Sequence, residues 1–298
     1  MRAFDVPSRV DVSSELVDGA MRAAGGLART VLVDNYDSFT YNLLHILRAN
    51  ADVFGETVLV RNDEFADWRS LDAARGPFDR VVLSPGPGNP LRPADFGLCR
   101  SAIEQSAVPV LGVCLGHQGI GAALGARVRR AAAGPMHGRL ERVTHTADGA
   151  ALFVGVPTTF TAVRYHSLEL DPATLPPSLR VTAWAADGRS VMAVQSADGR
   201  LHGLQFHPES ICSEYGITLL RNFAAVRVPL SAALPPCEPP PRARAEGHGE
   251  PACARPARDV GAAAEDAAAG PVEAGGGAAC AAAAVSYTHL RAHETRHD

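Results

Sequence analysis

Val108-Pro109-Val110-Leu111-Gly112-Val113-Cys114-Leu115-Gly116-His117-Gln118-Gly119-Ile120-Gly121-Ala122-Ala123-Leu124-Gly125 decides how this chain is read. Val108 to Val113 is a short apolar run with the length of a buried strand. It leads directly into Cys114 and then into small residues that can start a helix. Gly112-x-Cys114-x-Gly116 is the thiol form of a nucleophile elbow, a tight strand-to-helix turn that lifts a reactive side chain out of a sheet. A side chain at either glycine would crowd such a turn. Free N–H groups and partial positive charge at a helix start favour a thiolate and can hold an oxyanion. Taken alone, the cysteine is equally compatible with a buried core thiol. The elbow becomes a site only if the chain also supplies a base, a group to orient that base, and an oxyanion donor.

Working outward, strands and helices alternate around this stretch. Thr30–Asp34 is a β-branched run ending in the polar loop Asp34-Asn35-Tyr36-Asp37-Ser38-Phe39, in which Ser38 is placed to cap a helix through Leu43, Leu44, Ile46 and Leu47. Thr57–Val60 and Phe78–Leu83 are further strands, and a helix is expected from about Asp95 to Gln105. This alternation means an α/β fold whose parallel sheet is covered on both faces. Ligands then belong at the carboxyl ends of the strands, where each of these loops falls. Beyond Arg127 the pattern changes to short strands near 139–146, 159–164, 180–186, 191–196 and 201–206, with turns at Asp187-Gly188 and Asp198-Gly199. These read as antiparallel additions to the sheet. A last helix, Tyr215 to Ala225, is expected to pack through Ile217, Leu219, Leu220 and Phe223.

Three segments could complete the elbow. Ser84-Pro85-Gly86-Pro87-Gly88 follows a strand, and its prolines fix a backbone that its glycines leave bare. Such a loop can aim N–H groups at developing charge, or be a plain tight turn. Gly203-Leu204-Gln205-Phe206-His207-Pro208-Glu209-Ser210 closes another strand. There His207 could deprotonate Cys114 and Glu209 could orient the imidazole, although an isolated His-x-Glu is commonly a surface pair. Tyr165-His166-Ser167-Leu168, read as a loop, could touch a small polar substrate. A fourth motif is a decoy. His293-Glu294-Thr295-Arg296-His297 fits H-E-x-x-H, but it abuts the chain end with no apolar helix face to set both histidines on one side.

The totals exclude several classes. Hydrophobic residues make up 46% of the 298, enough for a core, and the net charge of −4 gives no electrostatic case for nucleic acid. No apolar run is long enough to span a membrane. The six cysteines form no C-x-x-C pair, which points to a reducing compartment rather than a disulfide framework. Residues 1–28 are read as a partly disordered extension, and their acids Asp5, Asp11, Glu15 and Asp18 argue against a transit peptide. Residues 29–227 form the domain. Residues 228–298 are a Pro/Ala/Gly-rich tail with too few large apolar side chains to offset its conformational entropy. Its end, Val285–Asp298, resembles translated sequencing adaptor.

Assembled in order, Ser84–Gly88, Gly112–Gln118 and Phe206–Ser210 resemble the motifs of the class I (triad) glutamine amidotransferases. The opening Asp34-Asn35-Tyr36-Asp37-Ser38-Phe39-Thr40-Tyr41-Asn42 is similar to that of the chorismate-using branch. The resemblance implies the flavodoxin-like three-layer fold, with a mostly parallel central sheet plus antiparallel additions. It implies a catalytic triad of Cys114, His207 and Glu209 acting on L-glutamine. It implies an oxyanion hole from Leu115 and the Gly86-Pro87-Gly88 loop, with Gln118, Ser167 and Leu168 holding the α-amino and carboxylate ends of glutamine. Ammonia would pass to a chorismate-binding synthase subunit or fused domain. No metal or cofactor is implied in this domain, Mg2+ being expected only in that partner. Gly116–Gly121 and Glu209–Gly216 look most similar to fused aminodeoxychorismate synthases, with the small subunit of anthranilate synthase as the alternative. In the fused proteins a linker follows the glutaminase domain, where the Pro/Ala-rich tail begins here. A cytoplasmic location follows, with the plastid as alternative.

Overall fold

The computed structural model describes residues 28–146 and 151–228. Residues 1–27 of the extension and 229–298 of the tail, with the H-E-x-x-H motif, lie outside the described residues. The element order is β1 (Arg29–Asp34), α1 (Thr40–Ala49), α2 (Ala51–Phe54), β2 (Glu56–Arg61), α3 (Trp68–Arg75), β3 (Arg80–Leu83), α4 (Pro93–Gln105), β4 (Val110–Val113) and α5 (Leu115–Ala123). There follow β5 (Val128–Arg130), β6 (Met136–His145), β7 (Thr159–His166), β8 (Leu168–Leu170), β9 (Leu179–Ala185), β10 (Val191–Ser196), β11 (Leu201–Leu204) and α6 (Gly216–Ala224).

Nine strands form one sheet in the order β2-β1-β3-β4-β11-β10-β9-β6-β7. The pairs from β2 through β11 are parallel, and those from β11 through β7 are antiparallel. The parallel strands are apolar on both faces, as a sheet covered on two sides requires. Leu32, Val82 and Leu111 meet Leu43 and Leu47 of α1 and Leu219, Leu220 and Phe223 of α6. Val31, Val33, Val81 and Val110 meet Trp68 and Leu71 of α3, Phe96 and Ile103 of α4, and Ile120 of α5. The fold is therefore the α/β, three-layer fold expected, with its antiparallel additions on one side.

The antiparallel half does more than extend the sheet. The free edge of β7 bonds to the loop that follows β11: His207 N–H donates to the Val163 carbonyl at 2.9 Å, and Glu214 N–H to that of Thr161 at 2.9 Å. The strands from β11 to β7 thus roll back on themselves. Strand β7 comes to the carboxyl edge of the parallel strands although it lies last in the sheet.

Several local expectations are corrected. Ser38 does not cap α1. The helix starts at Thr40 behind Phe39, with no side-chain cap. The aspartates win this loop, because Asp37 Oδ1 accepts the Phe39 N–H at 2.8 Å and Asp34 Oδ1 accepts from Tyr36 N–H and Thr40 Oγ1. A carboxylate two residues upstream of an N–H closes an Asx turn before a serine can act. Helix α4 begins at Pro93 rather than Asp95, with proline in the first turn, where its missing N–H costs nothing. Tyr165-His166-Ser167-Leu168 is not a loop: β7 runs through His166 and β8 starts at Leu168, so Ser167 alone separates them. Ile217 is exposed on α6, the helix packing through its other three named residues.

Candidate active site

Cys114 sits between β4 and α5 with φ 51° and ψ −96°, a conformation that non-glycine residues avoid. Two glycines make the turn possible. A Cβ on Gly112 would lie 2.3 Å from the Gly116 carbonyl carbon, and one on Gly116 would lie 2.7 Å from the Leu83 carbonyl oxygen of β3. The elbow is pinned by Cys114 N–H donating to Leu204 of β11 at 2.7 Å, and α5 opens with Gln118 N–H to the Cys114 carbonyl at 3.0 Å. The N–H groups of Leu115 and its neighbours, in the first turn of α5, have no partner within the helix.

His207 and Glu209 are both buried, and His207 Nδ1 lies 2.7 Å from Glu209 Oε1. Residues two apart on an extended segment share a side, so the loop after β11 turns both inward. Burial by itself would lower the proton affinity of His207. The Glu209 carboxylate and the adjacent Cys114 sulfur outweigh it and hold the imidazole well above its ordinary pKa. The Phe39 ring lies against His207 at 5.1 Å between centroids, and Tyr165 stands edge-on to it at 6.4 Å. The sulfur of Cys114 contacts the Tyr165 carbonyl at 3.7 Å and receives Gln205 Nε2 at 3.6 Å.

The Ser84–Gly88 loop follows β3 at the same edge. Asn35 holds its start: Asn35 N–H donates to Ser84 Oγ at 2.9 Å, and Nδ2 to the Ser84 carbonyl at 2.9 Å. Gly86 backs onto Leu115, where an added Cβ would meet the Leu115 side chain at 2.6 Å. Gly86, Pro87 and Gly88 therefore stand beside the first turn of α5. On the other flank, Gln118 Nε2 donates to the Leu168 carbonyl at 2.8 Å. Ladder geometry says what Leu168 has left to offer. Arg130 pairs with Leu168 across β5 and β8, and Ala131 N–H bonds to the Ser167 carbonyl at 2.9 Å. Positions 131 and 167 thus form the hydrogen-bonded pair, and 130 and 168 the open one. The Leu168 N–H turns away from β5, to the side where its carbonyl meets Gln118. Ser167 Oγ lies 3.3 Å from His137 Nε2.

The fold thus brings Cys114, His207, Glu209, Leu115, Gln118, the Gly86–Gly88 loop and Leu168 to one edge. Three neighbours went unassigned in the sequence. Gln205 had a signal, lying two residues before His207. Phe39 and Asp37 had only their place in the loop after β1. Asp37 lies close enough to His207 and Glu209 to feel both charges, and burial raises its pKa. Among the described residues no group of three His, Cys, Asp or Glu side chains could hold a metal ion.

A doubly covered α/β sheet carries a cysteine at its strand–helix elbow, backed by a buried histidine–carboxylate pair, the arrangement of a thiol-centred site. The chain belongs to the class-I glutamine amidotransferase family, whose pattern matches residues 31–226. The aminodeoxychorismate synthase of Streptomyces griseus is 56% identical over 198 residues, covering 65% of this chain and 25% of that protein. The chain thus spans about a quarter of that relative's length. The anthranilate synthase component 2 of Methanothermobacter thermautotrophicus is 43% identical over 199 residues, 65% of this chain and 96% of that one. Among solved structures, a putative GMP synthase subunit from Thermoplasma acidophilum superposes with a TM-score of 0.57 at 27% identity, covering 67% of this chain and 93% of that one. Among the described residues no helix is long and apolar enough to cross a membrane.

Proposed function

We propose that this chain is the glutaminase part of an aminodeoxychorismate synthase, releasing ammonia from L-glutamine for a chorismate-binding domain or subunit. The observation that carries the reading is the buried His207–Glu209 pair set against a cysteine held at a strained elbow. The Cys114 thiolate attacks the side-chain amide carbon of glutamine. The oxyanion forms against the N–H groups of Leu115 and the Gly86–Gly88 loop, with Pro87 keeping that loop rigid. His207, protonated by its setting, gives its proton to the departing ammonia, leaving a γ-glutamyl thioester on Cys114. His207 then takes a proton from the water that hydrolyses the thioester, and Glu209 keeps Nδ1 occupied so that Nε2 does this work.

Binding follows from the same edge. Both protons of the Gln118 amide nitrogen are engaged within the protein, by the Leu168 carbonyl and by Gln205 Oε1 at 3.1 Å. Its carbonyl oxygen is left to accept from the α-ammonium of glutamine. The Leu168 N–H, with Ser167 beside it, suits the α-carboxylate. Cys99 and Cys114 are free thiols, which fits a reducing compartment such as the cytoplasm.

The 56% identity to the Streptomyces griseus enzyme supports aminodeoxychorismate as the product. The match to nearly the full length of an anthranilate synthase component 2 supports the second reading, in which the ammonia makes anthranilate. Mixing the chain with each kind of chorismate-binding subunit, glutamine and chorismate separates the two. Aminodeoxychorismate formed with glutamine, and lost in Cys114→Ser, is the expected result. Anthranilate as the product would transfer the chain to the second reading, and a Cys114→Ser protein as active as wild type would overturn both.

A further inference from the structure

Gln205 is fully buried beside the nucleophile, and the mechanism above uses only its oxygen, as an acceptor for Gln118. Its side chain bridges Gln118 and Cys114, and the direction of that bridge can be worked out from one fixed point. The Leu168 carbonyl can only accept a hydrogen bond. Gln118 must therefore turn its amide nitrogen toward Leu168, at 2.8 Å. That same nitrogen lies 3.1 Å from the Gln205 amide, so Gln205 must present its oxygen to it. The Gln205 nitrogen is then forced toward the Cys114 sulfur, at 3.6 Å. The fixed point is itself held. The Leu168 carbonyl also accepts from His166 Nδ1 at 2.8 Å, and His166 Nε2 accepts from the buried Arg164 Nε at 3.1 Å. Arg164 pairs in turn with Glu141. An amide that was free to flip would offer the sulfur either end; this chain of bonds leaves only the donor.

We propose that Gln205 is a further catalytic residue, whose amide N–H donates to the Cys114 sulfur and favours its thiolate, with Gln118 and the Leu168 carbonyl fixing the amide's orientation. The proposal rests on Cys114 being the nucleophile. A donor aimed at the sulfur gains strength when the sulfur becomes an anion, since hydrogen bonds to charged groups are roughly twice as strong as neutral ones. Of the titratable groups at this edge, His207 interacts with the Cys114 sulfur; Glu209 pairs with His207, Asp37 on the loop after β1 feels both of them, and His166 on β7 feels His207 and His117 of α5. Burial keeps His117 and His166 neutral. Gln205 differs from all of these in acting as a fixed donor at every pH.

The test is the rate at which iodoacetamide alkylates Cys114 in the full chain, followed by mass spectrometry of the Cys114 peptide from acidic to alkaline pH. Wild type is compared with Gln205→Met, Gln205→Glu and Gln118→Ala. The pH of half-maximal rate should move upward in all three, so that alkylation on the acid side falls about tenfold while the alkaline plateau stays the same. Gln118→Ala is the decisive variant, because residue 118 does not bond to the sulfur and acts only by releasing the Gln205 amide. Gln205→Glu keeps the side-chain shape and carries the test if the methionine variant does not fold. Profiles superimposable on wild type in folded variants would overturn the proposal. A wild-type profile no more acid-shifted than that of an ordinary free cysteine would instead overturn Cys114 as nucleophile.

Discussion

At Cys114 a thiol, a base and a strained backbone meet in a few ångströms, and their coupling decides what each residue does. His207 is buried, yet it favours its charged form, because Glu209 and the Cys114 sulfur supply more negative potential than burial takes away. In the proposed mechanism an imidazolium already carries the proton that the departing ammonia takes. Replacing the carboxylate by Glu209→Gln removes that support. The imidazole then loses its proton at lower pH, so the alkaline limb of kcat/KM for glutamine hydrolysis should move toward acid. The maximal rate should fall about a hundredfold to ten-thousandfold, as for general acid–base groups deprived of their orienting partner. A pH–rate profile of the variant with its chorismate-binding partner checks both. An unmoved alkaline limb would mean that Glu209 does not set the proton affinity of His207. Gln205 and Phe39 show why residue roles are hard to read ahead of structure. Phe39 is an ordinary residue at a helix start, and its contact with the site depends on a side-chain direction that no spacing encodes; Gln205, just past the buried strand β11, had only its place two residues before His207 as a signal.

At the scale of elements, the elbow is a packing problem solved with hydrogen atoms. Strand β4 and helix α5 approach so closely that Gly112 and Gly116 touch backbone, and backbone cannot step aside as a flexible side chain can. Gly112→Ala should therefore cost about 1–3 kcal/mol of stability, the usual range for overpacking a tight interior. Urea denaturation measures it, and a cost under about half a kcal/mol, the range for surface changes away from such features, would mean that the elbow is looser than described. The elbow was legible in the sequence because Gly-x-Cys-x-Gly after an apolar run has a mechanical reason to exist. The parallel strands were legible for a similar reason, their β-branched runs ending in polar loops. The start of α1 was not. Ser38 has the right chemistry for a cap, but Asp34 and Asp37 take the Tyr36 and Phe39 N–H groups around it, the Thr40 N–H goes to the Asp37 carbonyl, and the helix starts one residue later, behind Phe39. Nor could the 165–168 segment be read correctly. Its polar residues look like a loop until Tyr165 and His166 are seen paired with His137 and Met136 of β6, and Leu168 with Arg130 of β5.

Over the whole molecule the burial of histidines sets the acid side of stability. His117, His166 and His202 are buried and neutral, with pKa values lowered to about 4, about 3 and about 4, in each case chiefly by burial. In the unfolded chain each takes up a proton below about 6.5. The unfolded state therefore binds more protons as pH falls through that point, and stability is lost from there down toward the folded-state values, by up to about 1.4 kcal/mol per histidine per pH unit. His207 has the opposite sign. Its raised affinity contributes fully below about 6.5 and is lost as pH climbs through its folded value. Together they place maximal stability near neutrality. Thermal melts at steps from neutral to acidic pH should show Tm falling steeply below about 6. A flat Tm down to about 4 would show that these histidines are not held neutral. The rolling of the antiparallel half, which carries β7 back to the site, is also a property of the whole molecule. No local pattern announces it, because it is made by strand edges more than forty residues apart.

The central claim is that Cys114 is the nucleophile that takes up the γ-glutamyl group of glutamine, and trapping is its most direct measure. The full chain with its chorismate-binding partner is treated with a chloroketone analogue of L-glutamine, and the adduct is located by peptide mass spectrometry. One adduct on the Cys114 peptide, suppressed by excess glutamine and absent in Cys114→Ser, is the predicted result. An adduct elsewhere, or one that persists unchanged in Cys114→Ser, would contradict it.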